Sequence, residues 1–242
     1  MRLLTVDKLC KSFGGLKAIN ALDFHVDEGE IMGIIGPNGS GKTTSLNLLT
    51  GFLKPNSGTV TFRGEDITGL PRYRVSQKGI ARTFQLSKPF LDFTALQNVM
   101  VGRMYGSQPS RNMKIAGEES MEILDVVGLL AKSEVLVKDL TVMERKRLEL
   151  ARALATKPTL LLLDELMAGL NPVEADETCR LIARIRDSQV TIIMVEHIVK
   201  AVTCISDRIL VLNMGEKIAE GVPQEIVHNP EVIAVYLGKS HA

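Results

Sequence analysis

The chain has 242 residues, more than one average domain needs, yet a length at which an α/β sheet with an appended lobe folds as a single unit. Lys and Arg number 29 against 28 Asp and Glu, a formal net charge of +1, so no global field favours nucleic acid or an anionic membrane and any binding must be local. Cys10, Cys179 and Cys204 are widely spaced and lack CxxC pairing, which argues against a disulfide framework and a zinc site and predicts reduced packing thiols in cytoplasm.

Asp7 interrupts the apolar run a secretory signal would require, so no export signal is visible. The longest strongly apolar stretch, 160–163, falls far below the ~20 residues that span a bilayer. Short β-rich runs open the chain at 3–9, 22–26, 31–35 and 59–62 and read as a sheet edge with hairpins. A helical pattern follows Gly41 and stops near Gly51, with Pro55 soon after. A further strand is predicted at 80–84; strand signals then vanish, and 95–101, 118–127 and 142–155 read as helices. Strand and helix then alternate through 160–163, 173–187, 191–195 and 209–212, and the tail from Pro223 predicts short helices. The expected fold is α/β: a core with a parallel sheet, an N-terminal antiparallel β subdomain and an inserted helical subdomain. The boundaries are 1–85 and 158–242 for the core and 86–157 for the helices.

Four buried-looking strands end in polar residues: the glycine loop after 31–35, Gln85, Asp164-Glu165 and Glu196-His197. In an open parallel sheet ligands bind beyond the carboxyl ends of the strands, so these groups are expected to converge. The loop Gly36-Pro37-Asn38-Gly39-Ser40-Gly41-Lys42-Thr43, followed by Thr44, lies between an apolar strand and a helix, the P-loop NTPase context of a phosphate loop. Its backbone N–H groups and the helix dipole favour phosphate oxygens, Lys42 adds a charge for the β and γ phosphates, and Thr43 offers a hydroxyl to Mg²⁺. ATP binding and hydrolysis follow as the expected activity. Asp164 emerges from a leucine strand and suits Mg²⁺ ligation. Glu165, on a different face, suits a general base for the attacking water. His197 is placed to hydrogen-bond a γ-phosphate oxygen and hold that water, Gln85 to sense the metal or the water, and Phe13 to stack on adenine or serve as a core aromatic.

This order of motifs resembles the ATP-binding subunits of ABC transporters over nearly the whole chain. Phe13-Gly14-Gly15-Leu16-Lys17-Ala18, Leu49-Thr50-Gly51-Phe52, Ala81-Arg82-Thr83-Phe84-Gln85 and Tyr236-Leu237-Gly238 are most similar to ATPases of branched-chain amino acid importers. The resemblance implies two ATPase subunits closing head to tail around two ATP molecules, each site pairing one phosphate loop with the other chain's signature segment. It also implies two transmembrane permease subunits, an extracytoplasmic solute-binding protein acting indirectly, and a cytoplasmic chain held peripherally on the membrane's inner face. Where the family has Leu-Ser-Gly-Gly-Gln or Glu, this chain reads Leu140-Thr141-Val142-Met143-Glu144. Thr141 and Glu144 retain a capping box, and Thr141 keeps a hydroxyl for a partner's γ-phosphate. Val142 and Met143 carry bulk where glycine allows close approach, so a heterodimer with unequal sites is expected. Leu166 and Asn171 replace the family's usual proline and aspartate.

An Asn-Lys-x-Asp base-reading motif, needed by a GTPase, is missing, and no long coiled-coil insertion of the DNA-repair type is present. Arg145, Lys146 and Arg147 are read as a solvated helix face, not a nucleic-acid patch. Leu86, Pro89, Phe90, Leu91 and Phe93 crowd apolar groups into a loop-like stretch expected to dock a permease or to form lobe core. The alternative function is an ATP-dependent dimerisation module with little or no hydrolysis.

Overall fold

The computed structural model describes residues 1–84, 88–196 and 199–237, so Gln85, Leu86, His197 and Gly238 lie outside the described residues. In chain order come β1 (Arg2–Phe13), β2 (Leu16–Asp27), β3 (Ile31–Ile35), α1 (Lys42–Leu49), β4 (Ser57–Phe62), β5 (Glu65–Asp66), α2 (Arg72–Gln77) and β6 (Ile80–Arg82). Three helices without an intervening strand follow: α3 (Ala95–Met104), α4 (Met113–Val126) and α5 (Val142–Ala155). The chain then runs through β7 (Leu160–Asp164), α6 (Pro172–Asp187), β8 (Thr191–Val195), α7 (Val199–Ile205), β9 (Arg208–Asn213), β10 (Glu216–Gly221), α8 (Pro223–His228) and α9 (Pro230–Leu237).

Two sheets form. The opening strands make an antiparallel sheet of their own, in the order β2-β1-β4-β5. The second sheet runs β10-β9-β3-β8-β7-β6; β9, β3, β8, β7 and β6 are parallel, and β10 closes one edge antiparallel. Alternation along the parallel strands explains how one sheet serves two cores. Met32, Ile34, Leu160, Leu162, Ile193 and Val195 face the antiparallel sheet and α1. Ile31, Ile35, Leu161, Leu163, Ile192 and Met194 face a second core shared with the helices. With both faces covered, the continuous leucines of β7 are each almost fully buried. Truncating one, as in Leu161→Ala, costs about 2–5 kcal/mol because the close-packed layer collapses only in part.

Helix starts obey local chemistry. Thr94 begins α3, Thr141 α5 and Asn171 α6, each through a reciprocal capping box with Gln97, Glu144 or Glu174. The elements absent from the sequence reading are the short α2 and α7, the two-residue β5 and the half-buried edge strand β10. Their apolar patterning is too brief to mark a period. The cysteines are free, but Cys204 is exposed, so the packing role expected of it does not hold. Cys179 is the buried one, and desolvation pushes its thiol up to about 11.

Candidate functional site

Parallel register places the ends of β3, β8 and β7 side by side, since Ile34 pairs with Val195 and Val195 with Asp164. The glycine loop leaves β3 at this edge and re-enters the fold as α1. Its backbone passes too close to its neighbours for side chains: a Cβ on Gly36 would lie 2.1 Å from the Leu212 carbonyl oxygen. Gly41 has φ 106, and a Cβ there would come within 2.8 Å of the Ala18 carbonyl oxygen. Glycine is required at both positions. The loop thus wraps the α1 N-terminus, where unpaired N–H groups give anion affinity. On the loop's other flank, burial raises the pKa of the Tyr236 hydroxyl of α9, with the Gly36 backbone opposing the shift.

Lys42 is buried and its ammonium donates to the Gly36 and Pro37 carbonyls at 2.7 and 3.0 Å. Burial lowers its pKa, while the nearby charges of Glu165 and Asp164 oppose that shift. Lys42 is therefore within electrostatic reach of both acids at the end of β7, across β8. Ser40 is buried, and its hydroxyl has no hydrogen-bond partner among the described residues. A buried cation, an unpaired hydroxyl and a helix N-terminus in one loop suit a phosphate chain. Thr43 is exposed and Thr44 half-buried in the first turn of α1.

Asp164 closes β7 with its side chain 4% exposed, facing Arg82 at the end of β6, whose own side chain is 5% exposed. Arg82 Nη2 donates to Asp164 Oδ2 at 2.7 Å, and Nη1 donates to Asn47 Oδ1 of α1 at 2.7 Å. The Asp164 N–H donates to the Thr83 hydroxyl at 3.2 Å. Glu165 has φ 51, left-handed for a residue with a side chain, and its N–H donates to the Val195 carbonyl at 2.9 Å. Backbone strain of this kind costs about 1–3 kcal/mol and persists where surrounding structure imposes it. A carboxylate at Asp164 and a hydroxyl at Thr43 are hard oxygen donors of the type Mg²⁺ accepts together with phosphate oxygens. No group of three or more His, Cys, Asp or Glu residues among the described residues forms a self-sufficient metal cage.

The loop after Glu165 is held from two sides. Glu196, at the end of β8 and 1% exposed, accepts the Met167 N–H at 2.8 Å. Lys146 of α5 donates its ammonium to the carbonyls of Leu166, at 3.1 Å, and Ala168. The expectation of a solvated basic face on α5 therefore fails at Lys146. Arg145 donates to the Val137 and Lys138 carbonyls, and Arg147 pairs with Glu177 at 2.8 Å. All three cations satisfy local acceptors. Helix ends and loops supply unpaired carbonyls that long cationic side chains can reach, which a helical-wheel reading does not register.

Thr141 and Glu144 form the expected capping box at the start of α5, with Glu144 N–H to Thr141 Oγ1 at 3.2 Å and Thr141 N–H to Glu144 Oε2 at 2.8 Å. The Thr141 N–H, helped by Lys132, holds the Glu144 carboxyl below its usual range. Val142 projects outward, 75% exposed. Phe13 is also exposed, at the turn between β1 and β2, with the Lys11 ammonium 5.3 Å from its ring centre, so it is no core aromatic. Phe90, Leu91 and Phe93 are between 43% and 47% exposed, which removes the lobe-core reading for them. Asn98 fixes their loop by exchanging hydrogen bonds with the Phe90 backbone at 2.9 and 3.0 Å.

Beside them, a largely apolar groove of about 470 Å³ opens between α2, α3, α5 and the end of β6, lined by Phe52, Tyr73, Arg82, Phe84, Tyr105 and Arg152 among others. Arg152 also lies 5.6 Å from the Phe90 ring centre, so groove and exposed aromatics are continuous. Sequence reasoning named Glu196 only as one of the converging strand ends, without a role, and did not single out Arg82 or Lys146 as site residues. The available signal was a charge at the end of a short apolar strand, the last residue of β6 at Arg82 and the residue after β8 at Glu196. Gln85 and His197, which follow β6 and β8 in sequence, lie outside the described residues.

The ABC transporter family profile matches residues 19–168, and a second profile, the branched-chain amino acid ATP-binding cassette transporter, matches residues 216–242. The chain is 41% identical over 251 aligned residues to the high-affinity branched-chain amino acid transport ATP-binding protein LivG of Salmonella typhimurium, covering 98% of each. It is 39% identical to the corresponding protein BraF of Pseudomonas aeruginosa, again over 98% of each, and 36% identical to a probable LivG of Archaeoglobus fulgidus, over 98% of this chain and 96% of that one. Among solved structures, a nucleotide-free ATP-binding cassette from an ABC transporter superposes with a TM-score of 0.89 at 30% identity, covering 99% of this chain and 100% of that one. The ADP conformation of an ATP-binding cassette gives the same TM-score, identity and coverage. The glycine loop, the acidic end of β7 and the capped start of α5 thus sit on a shared framework, and the chain belongs to the ATP-binding subunits of ABC transporters, among the branched-chain amino acid transport ATP-binding proteins.

Proposed function

We propose that this chain binds ATP with Mg²⁺ and hydrolyses it to drive import of branched-chain amino acids or related small amides through two permease subunits. The observation that supports this most is the shared edge of β3, β7 and β8, where Lys42 feels the charges of Glu165 and Asp164. In this reading residues Gly36 to Thr44 cradle the phosphates, and Thr43, Gln85 and Asp164 supply oxygen donors to the metal. Bound Mg²⁺ neutralises phosphate charge. Glu165 takes the proton of the attacking water, His197 orients that water against the γ-phosphate, and Phe13 offers its exposed ring to adenine. Residues 86–157 act as a helical subdomain and the remainder as the catalytic core.

The site takes its closing half from a second ABC ATPase subunit, in a heterodimer, because Val142 and Met143 add bulk beside Thr141 and Glu144 where a partner's ATP must approach. Permease subunits dock at the groove and the Phe90 to Phe93 surface, which holds the chain peripherally on the inner face of the membrane; the solute-binding protein acts through them, and nucleic acid is not a partner. No helix among the described residues is long and apolar enough to cross a membrane.

Turnover of the assembled complex tests this. Glu165→Gln and Lys42→Ala are each expected to remove most ATP hydrolysis, while the matching glutamate change in the partner spares most of it. Equal losses from the two glutamate changes would sink the asymmetry. ATP binding by the wild-type complex without turnover above the Lys42→Ala level would instead establish the dimerisation switch, the alternative that the altered signature motivates.

A further inference from the structure

Arg82 joins two places that the proposed activity must connect. One side of its guanidinium meets Asp164, the candidate metal ligand, and Asn47 on the helix that follows the phosphate loop. The other side lies against aromatic rings, 5.9 Å from the centre of Phe52 and 5.2 Å from that of Phe84, and those rings stand edge to face 5.4 Å apart. Both rings are about two-fifths exposed and line the groove, as does Arg82 itself. The segment is fixed at each step. Thr83 N–H donates to the Leu162 carbonyl at 2.9 Å, and Phe84 N–H donates to Glu149 of α5. The Arg82 Nε is buried and has no partner among the described residues, so the guanidinium is held by its two Nη groups and by the rings.

We infer that Arg82 is a positioning residue that serves as the resident counter-ion of Asp164, competes with the divalent cation for that carboxylate, and yields it when the groove is filled. A buried carboxylate requires a cation, and here the protein supplies one. Mg²⁺ binding to Asp164 then displaces or shares an existing charge, so its apparent affinity is reduced by the Arg82 pairing. An occupant pressing on Phe52 and Phe84 moves the guanidinium stacked on them and raises the affinity. A partner on the groove thereby acts on the carboxylate at the end of the adjacent strand through one side chain. This rests on the reading that the groove receives a permease segment.

The test is Mn²⁺ binding, read by electron paramagnetic resonance on the full chain with saturating ADP, for wild type, Arg82→Met and Arg82→Lys. Arg82→Met is expected to bind Mn²⁺ roughly tenfold more tightly while its nucleotide-free form melts at a lower temperature, because Asp164 has lost its counter-ion. Arg82→Lys, which keeps the charge but not the two-armed grip or the stacking, should tighten binding by a smaller factor. A merely structural Arg82 predicts the opposite sign, weaker metal binding together with lower stability. Unchanged or weakened Mn²⁺ binding in Arg82→Met overturns the assignment, and if that variant does not fold, the same result in Arg82→Lys does so. In the wild-type complex with its permeases Mn²⁺ should bind several-fold more tightly than in the free chain, and Arg82→Lys should narrow that difference; an undiminished difference overturns the groove coupling. A wild-type chain that takes up no Mn²⁺ with ADP overturns both this inference and the proposed function, whereas failure of the Arg82 variants alone leaves the latter standing.

Discussion

The Glu196 carboxylate accepts the Met167 N–H at 2.8 Å, which ties the end of β8 to the loop that follows Glu165. Burial pushes the Glu196 pKa up to about 7, only partly offset by the Met167 N–H and Lys146, with Glu165 and Asp164 adding to the rise. The folded chain thus holds a proton that the unfolded chain releases near pH 4.5. Between these values the native state binds more protons, so stability falls as pH rises from about 4.5 to about 7, and the loss is complete above. Glu196→Gln keeps an oxygen acceptor for Met167 and removes the titration. Urea unfolding at pH 5 and pH 8 should show the variant gaining on wild type by up to about 3 kcal/mol at the higher pH. An unchanged difference between the two pH values would show that Glu196 does not titrate there.

Phe90 is 45% exposed, and its ring is tilted by 31° to that of Phe93 with 5.3 Å between the centres. Phe90→Ser should therefore cost less than about 1 kcal/mol in stability, as surface changes do, and leave ATP binding intact. Co-purification with the permeases should weaken severalfold. A large drop in melting temperature would return Phe90 to the core reading.

The sequence made the phosphate loop and the acidic end of β7 legible because each lies on a strand whose apolar run is short, continuous and sharply ended. β3, β8 and α5 lie where periodicity puts them, at Ile31–Ile35, Thr191–Val195 and Val142–Ala155. The convergence of the strand ends was legible too, since parallel strands joined by helices carry their carboxyl ends to one edge. The contacts across that edge were not. Arg82 meets Asp164 only because β6 lies beside β7, a neighbour relation between segments more than 80 residues apart that no local pattern encodes. Lys146 reads as one of three exposed cations until the loop carbonyls are placed within its reach. β10 lacked a signal because its residues are half-buried along one edge and alternate weakly.

Lys146 crosses from α5 to the loop carbonyls of Leu166 and Ala168, so the helix that begins at the signature segment and the loop that follows Glu165 are mechanically one unit. Burial lowers its pKa, and the charges of Glu196, Glu149 and Glu174 oppose that shift. Lys146→Met keeps the stem and deletes the donor, leaving two carbonyls to find water. Loss of charged hydrogen bonds of this kind costs about 1.5–3 kcal/mol. Turnover of the complex should fall more than nucleotide affinity, because the phosphate loop is untouched while the Glu165 loop loses a tether. Equal effects on both would place Lys146 in general stability alone.

Thr141 closes its capping box with Glu144 although both flanking glycines of the family pattern are missing, so the start of α5 survives as a helix N-terminus. Thr141→Ala removes one of the two bonds and should cost about 1 kcal/mol of stability. Its effect on turnover separates two roles. If this segment completes a partner's site as weakly as Val142 and Met143 suggest, the variant loses little of the complex's total hydrolysis, because most turnover occurs at this chain's own phosphate loop. The reverse exchange is the sharper measurement: Val142→Gly combined with Met143→Gly reopens the close approach, and it should raise turnover at the partner's phosphate loop, read in a complex whose own site is silenced by Glu165→Gln. A double variant that leaves that residual turnover unchanged would mean that side-chain bulk at the signature does not limit the second site.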